Sequence, residues 1–324
     1  MAESVQTDPD FKFKGVKEPV AAPPAVDLGP LAQLIGADGK GEWHGHGFNT
    51  IWRPHELALN SPPQDRFLEL NLTEETLVFT EIDGAIPNRG LEMHDIDLFG
   101  LTYLQQIKGI DPKEGLHIEP GIWVNVPTTE DPKEPATVVR MASIPHGTTI
   151  LAQGTFLTVP KGPVIADNNI IPFEIGTPTP PNSDFAAAAA TFKELDLSIE
   201  TEFRQVSNGV TQEMVENPNV FLQDAIAKQA AAGETITSTT VLVISTAHAP
   251  VAGGGTANTA FLEAASAPPG GNATAVEVSA IFWIETVTDA GGNEKLQLQY
   301  TQLVQLDFNG LRWPHVSVAT LHKH

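Results

Sequence analysis

The chain of 324 residues contains no cysteine. Disulfides, thiolate metal sites, iron–sulfur clusters and cysteine nucleophiles are thereby excluded. Basic residues are scarce: 18 lysines and arginines stand against 40 acidic residues, a formal net charge of −22. Nucleic acid and anionic membranes need a basic surface, so no nucleic acid and no membrane are expected as partners. The acidic excess reads as a solvated, self-repelling surface. No apolar run reaches the length of a membrane span. The opening "MAESVQTDPDFKFKGVKEPV" is polar and lacks the apolar core of a secretory signal. A soluble, cytoplasmic protein is expected. Several catalytic templates are missing as well: there is no G-x-S-x-G elbow, no P-loop and no G-x-G-x-x-G after a strand. "AGGGTANT" (252–259) has neither a lysine nor a following helix signal and reads as a loop.

What is present describes a β protein. Hydrophobic residues make up 41 % of the chain, enough for a sizeable core. Residues 1–27 read as an extended arm, and "LGPLAQLIG" (28–36) as one short helix. From Gly41 to about Phe156, short alternating segments are separated by Gly, Pro, Asn and Asp, the pattern of strands and turns. "RFLELNLTEETLVFT" reads as two strands with a turn at Thr73–Glu75. Residues 157–182 are proline-rich and irregular; Ser183 or Asp184 caps a short helix over the alanine run that follows. Residues 210–233 read as one helix with Asn219 near its cap and Gly233 past its end. "TITSTTVLVIST" (235–246) is a strand, and three more close the chain. "DAGGNE" is a hairpin turn, and "NGLRWP" connects the last two strands. The expected fold is mainly β: a single antiparallel up-and-down β-barrel of about ten strands over residues 28–324. A partly helical insertion at about 157–260 is expected to cap or flank its open mouth.

The densest motif is "GEWHGHGFNTIWRPH" (41–55). His44 and His46 lie on one strand face at metal-ligand spacing. Glu56, ten residues after His46, does not complete a short-spaced site. Gly41, Trp43, Gly45 and Gly47 occupy the other face, where a bulky ring among glycines can plug a barrel end. His117 and Glu119 share a strand face and can form a hydrogen-bonded pair, a metal pair or a base with its orienter. Arg53, Arg140 and Arg312 stand out in a base-poor chain. Tyr300 and Trp283 alternate with apolar residues and read as core or cavity lining. His94, Asp95 and Asp97 read as an exposed acidic loop.

Gly41-x-Trp43 resembles the opening signature of lipocalins and fatty-acid-binding proteins, and the fuller G-x-W-x-G-x-G resembles the nitrobindins, small heme-binding β-barrels of the calycin type. Three further stretches are similar to nitrobindin, in family order: "LHIEPGIWVNVP" (116–127) through His117, Glu119, Gly121 and Trp123; "VVRMASIPHGTTILAQG" (138–154) around a Pro145-His146-Gly147 turn; and "WPHVSVATLHK" (313–323). The resemblance covers about 28–156 and 275–323. It implies a heme b cofactor with His315 as proximal ligand. Ser317 and Ala319 share its face and leave room for a flat macrocycle, and His322 competes as ligand. It also implies Arg312 covering Trp43 by cation–π stacking or binding heme propionates, and His117 and Glu119 as a structural pair beside the Trp43 plug. His146 stands where the family usually has threonine and would be a distal hydrogen-bond donor or base.

The function so implied is binding or transformation of small oxidants (nitric oxide, peroxynitrite or peroxide). If enzymatic, the chemistry is peroxidase-like or peroxynitrite isomerase-like. Two alternatives stand beside it: a carrier or sensor of an apolar small molecule in the barrel cavity, and a non-heme metal enzyme using His44 and His46 with His55 or His117. The physiological ligand and the oligomeric state are left open.

Overall fold

The computed structural model describes residues 11, 13, 26–55, 66–91, 94–130, 132–145, 147–177, 184–247, 255–262 and 273–324. Ten long strands carry the architecture: β1 (Lys40–Pro54), β2 (Arg66–Glu81), β3 (Ile96–Gly109), β4 (Gly115–Val126), β5 (Thr137–Ser143), β6 (Thr148–Val159), β7 (Thr235–Ser245), β8 (Thr274–Thr288), β9 (Glu294–Phe308) and β10 (Leu311–Lys323). Each pairs antiparallel with its neighbour in sequence, β2 pairs with β3, and β10 returns to pair with β1. The result is a closed ten-stranded up-and-down barrel, which leaves no long sheet edge unpaired.

Inward and outward side chains alternate along much of the barrel, as the two-residue period requires. On β1, Trp43 belongs to the inner core, whereas Phe48 and Trp52 belong to a second core on the outer wall. One end of the barrel is closed. A 3-10 helix, Gly29–Leu34, sends Leu31 and Leu34 inside, and the Trp43 indole Nε1 donates to the Leu34 carbonyl at 2.9 Å. Gly41 is needed here, because a Cβ at that position would lie 1.9 Å from the Leu34 oxygen. Lys323 donates to the Gln33 and Ile35 carbonyls and sits 5.7 Å from the Trp43 ring centroid. The cation over the plug is therefore Lys323. Arg312, expected there, lies at the other end of β10, bonded to Asp307 at 2.8 and 3.0 Å.

Other sequence expectations are corrected. The turn at Thr73–Glu75 does not exist: β2 runs unbroken through it, because Thr73 and Glu75 are buried polar residues of the barrel interior. The expected 210–233 helix is two, α2 (Gln212–Glu216) and α3 (Val220–Ala231), parted at Asn217-Pro218 because proline bars the residue before it from the helix. A third, α1 (Phe185–Thr191), is capped by Asp184. Asn219 occupies the cap position of α3 without capping it; its side chain donates to Ala166 and accepts from Thr301 at 2.7 Å each, tying the helix to the barrel. β10 starts at Leu311, directly after an Asn309-Gly310 turn, so "NGLRWP" is mostly strand.

The insertion is smaller than 157–260, since β6 reaches Val159 and β7 is a barrel strand. What lies between flanks the wall. Phe192, Leu195, Met214, Val215 and Leu222 cover Phe48, Leu68, Leu70, Val316 and Val318 on the outward faces of β1, β2 and β10. Short strands Phe173–Glu174 and Arg204–Val206 add to β10 and β2 beside this patch.

Candidate functional site

β10 ends at the plug, so its first half lies toward the opposite end of the barrel. On its inner face it carries His315, Ser317 and Ala319, in register with Val304, Gln302 and Tyr300 of β9. On the other side Ser317 and Ala319 oppose Asn49 and Gly47 of β1. His315 is largely buried, and its Nε2 bonds the Trp52 carbonyl. Burial pushes its pKa down, to about 4, against the raising effect of that bond. The ring is thus neutral at pH 7; with Nε2 protonated toward the carbonyl, Nδ1 keeps its lone pair. Asn49 donates to the Ser317 hydroxyl, leaving its Oδ1 buried without a hydrogen-bond partner among the described residues. Asn71, directly opposite Asn49 on β2, has a buried Nδ2 in the same condition.

A polar belt crosses the interior. Arg140, 1 % exposed, donates from Nε to Tyr103 at 2.9 Å, from Nη1 to Gln302 at 2.7 Å and from Nη2 to Glu119 at 2.5 Å. Tyr103 also donates to Glu119, and His117 Nε2 lies 3.1 Å from the other Glu119 oxygen. Burial raises the Glu119 pKa, but the Arg140 charge and the His117 and Tyr103 hydrogen bonds outweigh it and hold the carboxyl at about 2. Gly121 makes room for the Tyr103 ring, which would lie 2.5 Å from a Cβ there. Beside this group, Glu75 accepts from Tyr300 (2.6 Å), Thr73 (3.1 Å) and Gln105 (3.4 Å). Among the described residues no cation is bonded to it, and burial pushes it up to about 7. His117 and Glu119 are therefore paired as one sequence reading had it, with Arg140 and Tyr103 as further partners.

The remaining candidates lie elsewhere. His44, His46 and His322 face outward, His44 bonded to Glu42 at 2.7 Å. His55 packs against Phe67 and Phe203. Arg53 pairs with Glu69. Asp95 pairs with Arg89 in an exposed loop. Tyr300 is inside the barrel but Trp283 is on the outer wall. His146 and Glu56 lie outside the described residues. Among the described residues no group of three or more His, Asp or Glu is arranged to hold a metal ion. None of their helices is long and apolar enough to cross a membrane.

Asn49, Asn71, Glu75, Tyr103, Gln105 and Gln302 were not expected from the sequence as site residues. The available signal was polar residues two apart on one strand face, Tyr103 and Gln105 in "TYLQQ" and Tyr300 and Gln302 in "QLQYTQ".

No family model matches the chain. No curated protein matches it either. Among solved structures, the crystal structure of Rv2717c from M. tuberculosis aligns with a TM-score of 0.36 and 15 % identity, over 92 % of this chain and 99 % of that one. At that score the likeness is weak and decides neither family nor ligand.

Proposed function

We propose that this protein is a calycin-type ligand-binding barrel whose open half receives a flat, largely apolar molecule, with heme b as the ligand that His315 is suited to hold. The observation that carries the reading is His315: a part-buried imidazole on a rigid strand, one nitrogen fixed by the Trp52 carbonyl and the other keeping its lone pair in the neutral ring that burial favours. That division of labour is what an axial ligand requires. The orphaned Asn49 and Asn71 atoms nearby fit a site that a bound molecule completes. Bound heme would supply an iron position open to nitric oxide, peroxynitrite or peroxide. The chain's own part is to hold His315 in one tautomer, keep small side chains at Ser317 and Ala319, and exclude water below the site with the Arg140–Glu119 belt. His146, in the segment between β5 and β6, would act as a distal donor or base.

Titration with hemin tests this. The expected result is a shifted Soret band saturating at one equivalent and lost in His315→Ala; free-hemin spectra throughout, or an unchanged shift in the variant, contradict it. The buried polar belt also suits a second reading, an apolar carrier without iron. It is favoured if a fluorescent apolar probe binds equally to wild type and His315→Ala while hemin binds neither.

A further inference from the structure

Closure of the barrel brings together two pairs of histidines from opposite ends of the sequence, His44 and His46 with His322 and His324. β1 and β10 pair with His44 opposite His322, and the backbone N–H of His324 donates to the Glu42 carbonyl, continuing the ladder. His46 and His324 stand one diagonal step to either side of the central pair. All four are on the outward face. His46, His322 and His324 are exposed, the His44 side chain is 38 % exposed, and the His44 and His324 rings make an edge contact with centroids 4.7 Å apart. Directly opposed residues of an antiparallel pair have Cβ atoms only about 4.5–5.5 Å apart. Two imidazoles so placed can share one ion. Each carries a nitrogen lone pair when neutral, the donor that suits zinc, copper and nickel rather than calcium or magnesium. Glu42, already bonded to the His44 Nε2 at 2.7 Å, supplies the carboxylate that fixes a ligand imidazole. Two grooves, of about 760 and 540 Å³, flank the ladder and leave it open to solvent; His44 lines the first, and His46, His322 and Asp224 line the second.

We propose that His44 and His322, with His324 as third ligand, form a surface site for one divalent transition-metal ion that staples the first barrel strand to the last. The rings are not converged as they stand, consistent with the absence of a ready three-ligand group among the described residues. Exposed side chains change rotamer within nanoseconds, so convergence needs no backbone movement. The site is outside the barrel and independent of any ligand within it. An ion held by both strands favours the closed barrel over the unfolded chain and raises its stability with metal concentration.

The test is calorimetric titration of the full-length chain with Zn²⁺ at pH 7.5, with thermal unfolding in parallel. One equivalent should bind and raise the Tm. The affinity should fall on acidification, because an imidazole must be deprotonated to ligate a metal. His44→Gln and His322→Gln, singly, should each weaken binding by at least about tenfold, and together should abolish both binding and the Tm gain. His94→Gln, an exposed histidine elsewhere, should change neither, and Ca²⁺ should not substitute. Circular dichroism verifies that each variant remains folded. Absence of zinc binding, binding that survives in the double variant, or several weak equivalents with no rise in Tm overturns the proposal.

Discussion

Arg140 is a cation with almost no access to water. Its fork of donors is used on three different partners, which a lysine could not reproduce. Arg140→Met should therefore cost about 3–5 kcal/mol, because it leaves Glu119 buried without its cation. Urea denaturation measures this, and a loss under 1 kcal/mol would show that the belt is not coupled. The buried acids respond to pH in opposite directions. Burial raises Glu75 to about 7 and Glu285, whose bonded partner is Gln297, to about 8. Between the ordinary carboxylate range and those values the folded state binds more protons than the unfolded chain, so their contribution to stability falls as pH rises. Glu119, held at about 2, contributes stability above the carboxylate range and loses it as pH falls toward 2. Denaturation midpoints should decline from pH 5 to pH 8.5, and Glu285→Gln should flatten the decline; an unchanged slope would contradict the assignment. At this scale the sequence was half legible. Trp43 and its glycines announce a plug through residue type alone. Glu75 could not be found that way, because Thr-Glu-Glu is turn chemistry unless a buried tyrosine on a strand 225 positions away is known to bond it.

Elements were readable where a single period governs them. The "DAGGNE" turn between β8 and β9 sits where turn residues demand it. β1 and β2 were harder, because the insertion covers the outward face of their halves far from the plug, so apolar residues stand at outward positions too. A strand apolar on both sides loses its alternation. The helices of the insertion follow local rules, Asp184 as a cap and Asn217-Pro218 as a break. Their place on the wall depends on distant residues, such as Trp52, whose Nε1 donates to the Ile170 carbonyl at 2.8 Å. Arg312 was assigned to the wrong end of its strand because sequence gives a strand's position but not which end meets the plug. Trp43→Ala should cost about 3–5 kcal/mol, combining a cavity with a lost indole bond. Lys323→Ala should cost less, since Lys323 is partly exposed, and its loss should redshift the Trp43 fluorescence by opening the plug to water. An unchanged emission spectrum would argue against Lys323 as the cover.

As a whole molecule, the chain closes by pairing its last strand with its first, and almost every functional candidate depends on that closure. His315 meets Trp52, and His44 meets His322, only because β10 lies against β1. The barrel class was legible from ordered motifs and turn spacing; the interior's polar belt and the wall-hugging insertion were not, being products of closure itself. The central claim is that His315 is a neutral ring poised toward a ligand in the open half. The most direct measurement is ¹⁵N NMR of histidine side chains across pH, without and with one equivalent of diamagnetic zinc protoporphyrin. The His315 signals should show the Nε2-protonated tautomer, should not titrate between pH 5 and 8, and should shift first on porphyrin addition. A His315 that titrates near 6.5, or that ignores the porphyrin while surface histidines respond, would contradict the claim.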